Sequence, residues 1–278
     1  EKYEFKGYSD TEVLVYLYQE IGIDFLKELS GMFSFCMLDL RKNKAFLCRD
    51  FYGINPMFWM EKNERIYFAS EMKALLEVPD FNDDMNHEAM YHYFTLAYLP
   101  GDRTPYNEVH EMREGQLMEV DLETGKYELR YHYQLHYEQR RDIPLKEATS
   151  KVHDLLLDAV RRNMISDAPL GMTLSGGIDT STMLALVKEL GLSEKMNTFS
   201  LKMGEGSFDE SKYQKIMSDF AGTTHHEIVV NPEDVEQVLI EHMAYIDEPI
   251  GDGSAIPSYL LAKYCLLYTS PSPRDHQP

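Results

Sequence analysis

LSGGIDTS, residues 174–181, is the stretch on which the fold turns. It lies between a short apolar run at 170–174 and an amphipathic stretch at 180–190, the pattern of a strand, a loop and a helix. Gly176 and Gly177 lack a Cβ, so the backbone can bend sharply and bring its N–H groups to an anion. The helix start adds unpaired N–H groups and the positive end of the macrodipole. Ser175, Thr180 and Ser181 supply hydroxyls, and Asp179 can hold the magnesium that travels with nucleotide phosphates. The chain carries neither the G-x-x-x-x-G-K-[ST] lysine loop nor the G-x-G-x-x-G dinucleotide fingerprint. Taken alone, the octet is also compatible with an ordinary helix N-terminus that has two turn glycines and a serine cap.

Outward from the loop, the second half alternates. Helices are expected at 145–164, 180–190, 209–221 and 233–246, with strands at 170–174, 197–203 and 226–230. Gly191 and Gly222 close two of those helices. Such βαβ order predicts an α/β, doubly wound parallel sheet with its ligand at the carboxyl ends of the strands. The first half has a different rhythm. SDTE at 9–12 has the form of a capping box, opening a helix that Gly22 stops. Apolar runs at 32–40, 44–50, 56–61 and 65–70 are separated by turns of hairpin length and predict an antiparallel meander. A helix at 71–78, ended by Pro79, and a strand pair within 115–133 follow. The polar EQRRDIP at 138–144 suits a linker, which gives an α+β domain over 1–137 and an α/β domain over 138–264.

The chain has 278 residues, 44% of them apolar, enough for two cores. A formal net charge of −20 excludes a sequence-independent nucleic-acid binder, so an anionic ligand must be held locally, by loop amides and a metal. Cys36, Cys48 and Cys265 have no C-x-x-C or zinc spacing, which fits a reducing, cytoplasmic setting. No signal peptide or membrane span is visible. Residue 1 is not methionine, and CLLYTSPSPRDHQP at 265–278 breaks the style of what precedes it and resembles translated adaptor sequence. The expectation is an internal fragment with a non-native or disordered tail.

The loop resembles the SGGxDS pyrophosphate loop of enzymes that cut ATP between its α and β phosphates. Wider motifs resemble one family, the glutamine-hydrolysing asparagine synthetases. The first half carries SDTE, GMFSFCMLDLRKNKAFLCRDFYGINPMFW (31–59), FASEMKALL (68–76) and LPGDRTPY (99–106). The second carries SDAPLGMTLSGGIDTS (166–181), FDES (208–211), GTTHHE (222–227) and DEPIGDGSAIPSYLLAKY (247–264).

The resemblance implies a partial αββα, Ntn-hydrolase-like amidotransferase domain followed by a synthetase domain of the adenine nucleotide alpha-hydrolase type. It implies that aspartate attacks Mg-ATP to give an aspartyl adenylate, and that ammonia from glutamine displaces AMP. The full-length enzyme would be a homodimer. Leu174, Ser175, Gly176, Gly177, Asp179, Thr180, Ser181 and Leu201 would then bind ATP, with Asp179 as the magnesium ligand. Leu174 and Leu201 are equally readable as strand core. Asp10 would bind the glutamine α-amino group, although an acidic residue in a first helical turn is stabilised there without a ligand. Glu248 and Asp252 would hold metal or substrate amine, or form a solvated acidic turn. Adjacent His225 and His226 on a strand point to opposite faces and make a poor metal pair.

Family features are also missing. The N-terminal cysteine nucleophile, its glutamine-binding segments, a second glycine-rich acidic loop and a downstream lysine do not occur, so the chain itself is expected to be inactive. Two alternatives stand: an amidotransferase acting on another carboxylate, and a catalytically dead regulator that binds nucleotide. An RNA-thiolating enzyme fits poorly, because the first half has no role in it and the chain is acidic.

Overall fold

The structure, a computed structural model, describes residues 3–7, 9–139, 142–203 and 210–269. The chain divides into two units: residues up to Glu138 together with Asp247–Gly251, and Gln139–Ile246 together with the residues from Asp252 onward.

The first unit contains α1 (Asp10–Ile21), β1 (Ser34–Asp39), β2 (Lys44–Arg49), β3 (Phe58–Lys62), β4 (Arg65–Ala69), α2 (Lys73–Leu76), α3 (His87–Leu96), β5 (His110–Glu111), β6 (Gln116–Asp121) and β7 (Tyr127–Tyr131). Ser9 caps α1 by accepting the Thr11 N–H, and Gly22 ends it at φ 65°. The reciprocal half of the capping box does not form, because Glu12 instead accepts the N–H groups of Lys6 and Gly7.

The four apolar runs make two sheets rather than one meander. β1, β2, β6 and β7 form one antiparallel sheet and β4, β3 and β5 the other. Burial explains the split. β2 is apolar on both sides: Ala45 and Leu47 face Met57, Trp59 and Met112 of the second sheet's layer, while Phe46 and Cys48 pack with Phe25, Leu26 and the half-buried Leu14 and Leu17 of α1. On the far side of the second sheet, Phe58 and Met60 pack with Met72 and Leu75 around α2. A continuous meander would have left one of these faces in water.

The crossing from β2 to β3 is organised by Asp50, which is 1% exposed. Its carboxylate accepts N–H groups from Phe33, Tyr52, Ile54 and Asn55. Burial opposes ionisation, but these four donors hold the carboxyl below its usual range. Arg49 donates to the carbonyls of Gly53, Asn55 and Met112 and pairs with Glu111 at 2.7 Å. The bend is therefore tied to both sheets.

The strip Asp247–Gly251 packs within this unit. Asp247 accepts the Lys73 N–H at 3.2 Å, and the Gly251 N–H donates to Ala97 at 2.9 Å. Between them, Glu248 faces Glu111 and Arg49, and its buried Oε1 has no hydrogen-bond partner. Burial first, and then the Glu111 charge, push the Glu248 carboxyl up to about 8 despite Arg49, with Asp247 adding to the rise. Glu111 is also raised, by burial, with Arg49 opposing.

The second unit contains α4 (Leu145–Asn163), β8 (Gly171–Thr173), α5 (Ile178–Glu189), β9 (Asn197–Met203), α6 (Ser211–Ala221), β10 (Thr224–Val230), α7 (Pro232–Met243) and α8 (Ala255–Thr269). β8, β9 and β10 form a parallel sheet in sequence order. Val160 of α4, Leu184, Leu186 and Val187 of α5 and Ala221 of α6 form one apolar cluster. Val238 of α7 and Leu260 of α8 pack with Ile228 and Val230 of β10 in another. The arrangement is α/β, with separate apolar clusters joining different helices to the strands.

Several boundaries differ from expectation. The helix at 71–78 contracts to α2, with Leu75 and the N-cap residue Met72 supplying the buried contacts. α3 was not anticipated; Asn86 caps it by accepting the Ala89 N–H. α5 begins at Ile178, ahead of the expected residue 180. α8 continues through Cys265–Thr269, into the stretch expected to be a tail, because no proline interrupts it there. Residues 270–278, and Phe208 and Asp209 of the FDES motif, lie outside the described residues.

Two outcomes are expected for the first unit, whose unfolding is reported by Trp59, the chain's one tryptophan. Asp50→Ala strands buried N–H groups and lowers the unfolding free energy by about 3 kcal/mol in urea titrations. Glu248 binds its proton more tightly folded than unfolded, so its contribution is full below the usual carboxylate range and is lost as pH rises towards about 8. With solvent screening the loss is about 2 kcal/mol. Glu248→Gln removes that part of the pH dependence in the same titrations.

Candidate phosphate-binding site

β8 delivers the loop to the end of the parallel sheet. The Leu174 N–H donates to the Phe199 carbonyl at 2.7 Å, carrying the pairing with β9 one residue beyond the strand. The chain then turns at Gly176, where φ is +84°. A Cβ there would lie 3.0 Å from the Tyr213 Cβ and 3.1 Å from the Gln214 nitrogen, so conformation and space both demand glycine. Gly177 sits at the N-cap of α5 in an extended conformation with no side-chain cap. The opening N–H groups of α5 are thus left to the loop and whatever it binds.

The hydroxyls form a local set. Ser175 Oγ accepts the Gly177 N–H at 3.3 Å and lies 3.0 Å from Thr180 Oγ1, which also donates to the Gly177 carbonyl. The Ser181 N–H donates to the Gly177 carbonyl at 3.0 Å as the first helical bond. Asp179 is exposed in the first turn of α5. Ser175, Gly176, Gly177, Asp179, Thr180 and Ser181 are therefore brought together on one bend.

The remaining expected residues are placed differently. Leu174 is 1% exposed and packs in the core with α4, α5 and α6, so a ligand can meet only its backbone. Leu201 is half-buried in the cluster with β10, α7 and α8. Glu248 belongs to the first unit and Asp252 to the second. Asp252 accepts the N–H and hydroxyl of Ser254 ahead of α8, and these bonds hold its exposed carboxyl below the usual range. Its geometry is that of a turn-forming aspartate. Asp10 is exposed in the first turn of α1.

His225 and His226 separate as the strand geometry requires. The ring nitrogens of His225 lie 3.0 Å from the Thr198 hydroxyl and 3.1 Å from the Ser200 hydroxyl, and burial lowers its pKa. His226 stacks on Phe199.

Among the described residues, no group of three or more His, Cys, Asp or Glu side chains is gathered to hold a metal. At the bend itself the carboxylate available to a metal ion is that of Asp179. Gln214 was not singled out in the sequence. It is a buried polar residue on the face of α6 that also carries the buried Ser218 and Ala221, and its side-chain nitrogen donates to the Ser175 carbonyl at 3.3 Å. Its spacing on that stripe, i, i+4 and i+7, was the available signal.

A family model described as glutamine amidotransferase domain matches residues 1–133, and one described as asparagine synthase matches residues 151–265. The putative glutamine-hydrolyzing asparagine synthetase 2 of Methanocaldococcus jannaschii is 34% identical over 92% of this chain and 50% of its own length. The glutamine-hydrolyzing asparagine synthetase 1 of Bacillus subtilis is 30% identical over 95% of this chain and 42% of its own length. A solved glutamine-dependent NAD+ synthetase from Acinetobacter baumannii, in complex with ADP, aligns over 95% of this chain and 64% of its own with a TM-score of 0.33 and 12% identity. The chain spans about half the length of the curated relatives it matches. Matched by the one model over its first half and by the other over its second, the chain belongs to the glutamine-hydrolysing asparagine synthetase family.

Proposed function

We propose that the second unit is the nucleotide-binding part of an asparagine synthetase and that residues 174–181 bind ATP through its phosphates. The observation that carries this reading is the bend itself: a glycine held at φ +84°, three nearby hydroxyls and an uncapped helix N-terminus, all at the carboxyl end of a parallel strand. Backbone N–H groups and the hydroxyls of Ser175, Thr180 and Ser181 orient the phosphates. Asp179 would hold magnesium, which would supply positive charge to offset that of the phosphates.

In the whole protein the aspartate β-carboxylate displaces pyrophosphate from ATP to form an aspartyl adenylate. Ammonia from glutamine then displaces AMP. A carboxylate is a poor acyl donor to ammonia, so activation must precede amide formation. The first unit is the corresponding Ntn-hydrolase-like amidotransferase layer and the second is of the adenine nucleotide alpha-hydrolase type. Asp10 is assigned to the glutamine α-amino group.

None of the three cysteines of this chain is assigned as the nucleophile for glutamine hydrolysis. Burial raises the pKa of Cys36, Cys48 and Cys265 alike, which disfavours the nucleophilic thiolate. Three cysteines without the spacing of a disulfide framework support a cytoplasmic location. No described helix is long and apolar enough to cross a membrane. Homodimerisation is the assembly that family resemblance implies for the full-length protein.

Calorimetric titration of the chain with Mg-ATP tests the nucleotide site. Asp179→Ala is expected to weaken binding about tenfold with magnesium present, roughly 1.4 kcal/mol, and to change little without it. Gly176→Ala should abolish binding while the second unit still folds, as read by circular dichroism. Absence of binding by the wild-type chain would overturn the reading.

A further inference from the structure

We propose that Gln214 is a positioning residue that fixes the orientation of the peptide between Ser175 and Gly176. This rests on the reading of residues 174–181 as a phosphate loop. Gln214 is 4% exposed in α6, and its Nε2 donates to the Ser175 carbonyl at 3.3 Å. In a trans peptide the C=O and the following N–H point in opposite directions. Drawing the Ser175 carbonyl towards α6 therefore turns the Gly176 N–H away from it.

Glycine at positive φ has little intrinsic resistance to a flip of this peptide. A flip would replace an N–H with a carbonyl, exchanging partial positive charge for partial negative charge on the side where an anion is to sit. The first turn of α6 also leaves no room for a side chain at the bend, since a Cβ on Gly176 would lie 3.0 Å from Tyr213 Cβ and 3.3 Å from Gln214 Cγ. The first turn of α6 thus backs the bend on one side.

The other half of the same amide supports the assignment. Gln214 Oε1 is buried and has no hydrogen-bond partner. An unpartnered buried acceptor is costly, and methionine would fill the same volume without that cost. Reversing the amide would bring Oε1 against the Ser175 carbonyl, acceptor to acceptor. Packing alone therefore does not account for glutamine here, whereas the donor it offers to Ser175 does.

The test compares wild type, Gln214→Met and Gln214→Glu by calorimetric titration with Mg-ATP and with magnesium pyrophosphate, alongside thermal melting. Methionine keeps the length and removes the donor. Glutamate keeps the shape and donates only when protonated. Both variants are expected to melt at or above the wild-type temperature or within a few degrees below it, and to bind both probes roughly five- to tenfold more weakly at pH 8. The deficit of Gln214→Glu relative to wild type should shrink as pH is lowered towards 5, while that of Gln214→Met should not, a difference that packing would not produce. Wild-type affinity in either variant overturns the assignment of Gln214. Failure of the wild-type chain to bind either probe overturns the phosphate-loop reading itself.

Discussion

The bend after β8 is held from two sides, which commits its carbonyls and the end of its strand. β9 accepts the Leu174 N–H and so fixes where the strand stops. α6 takes the Ser175 carbonyl through Gln214, while the Gly177 carbonyl becomes the first acceptor of α5. With those groups committed, the conformational freedom of two glycines is reduced to one useful shape. The parallel sheet is what makes this arrangement available, since it brings the end of β8 beside β9 and places the start of α6 against the bend.

The first unit solves a related problem with charge instead of a helix end. Its chain must leave one sheet at Arg49 and enter the other at Phe58 through a segment that is mostly irregular. Asp50 gathers four N–H groups, and Arg49 gathers carbonyls from both sides of the crossing. The two side chains are adjacent in sequence and opposite in sign, so one satisfies the donors and the other the acceptors of a buried turn. This explains why RD stands at the end of an otherwise apolar strand, a role that requires no ligand.

The bend between β8 and α5 was legible in the sequence because its determinants are local: glycine at a turn, and a strand and helix of the right period on either side. β9 was equally clear, since its run at 197–203 is bounded by turn residues. The division of the meander into two sheets was not legible, because hairpin pairing depends on neighbours in sequence whereas sheet membership depends on which apolar faces meet. β2 could be seen to be apolar on both faces, but only the packing of Leu47 against the Met57 and Trp59 layer shows that the next hairpin lies across from it and not beside it. Gln214 was missed for a similar reason. Its partner is a backbone carbonyl far away in sequence, and a glutamine in an amphipathic helix carries no mark of that contact.

Net charge also means less at the site than the sequence implies. The formal value of −20 counts every carboxylate as ionised, including Glu248, whose burial beside Glu111 keeps it largely protonated at neutral pH. Exposed carboxylates farther away than about 8 Å are largely screened at physiological ionic strength. Partial charges on backbone N–H groups act at hydrogen-bond distance, inside that length and without intervening water. An acidic chain can therefore hold a polyphosphate, provided the few peptides nearest the anion are prevented from turning. For the proposed phosphate site, the stiffness of the bend therefore matters more than the charge of the surface around it.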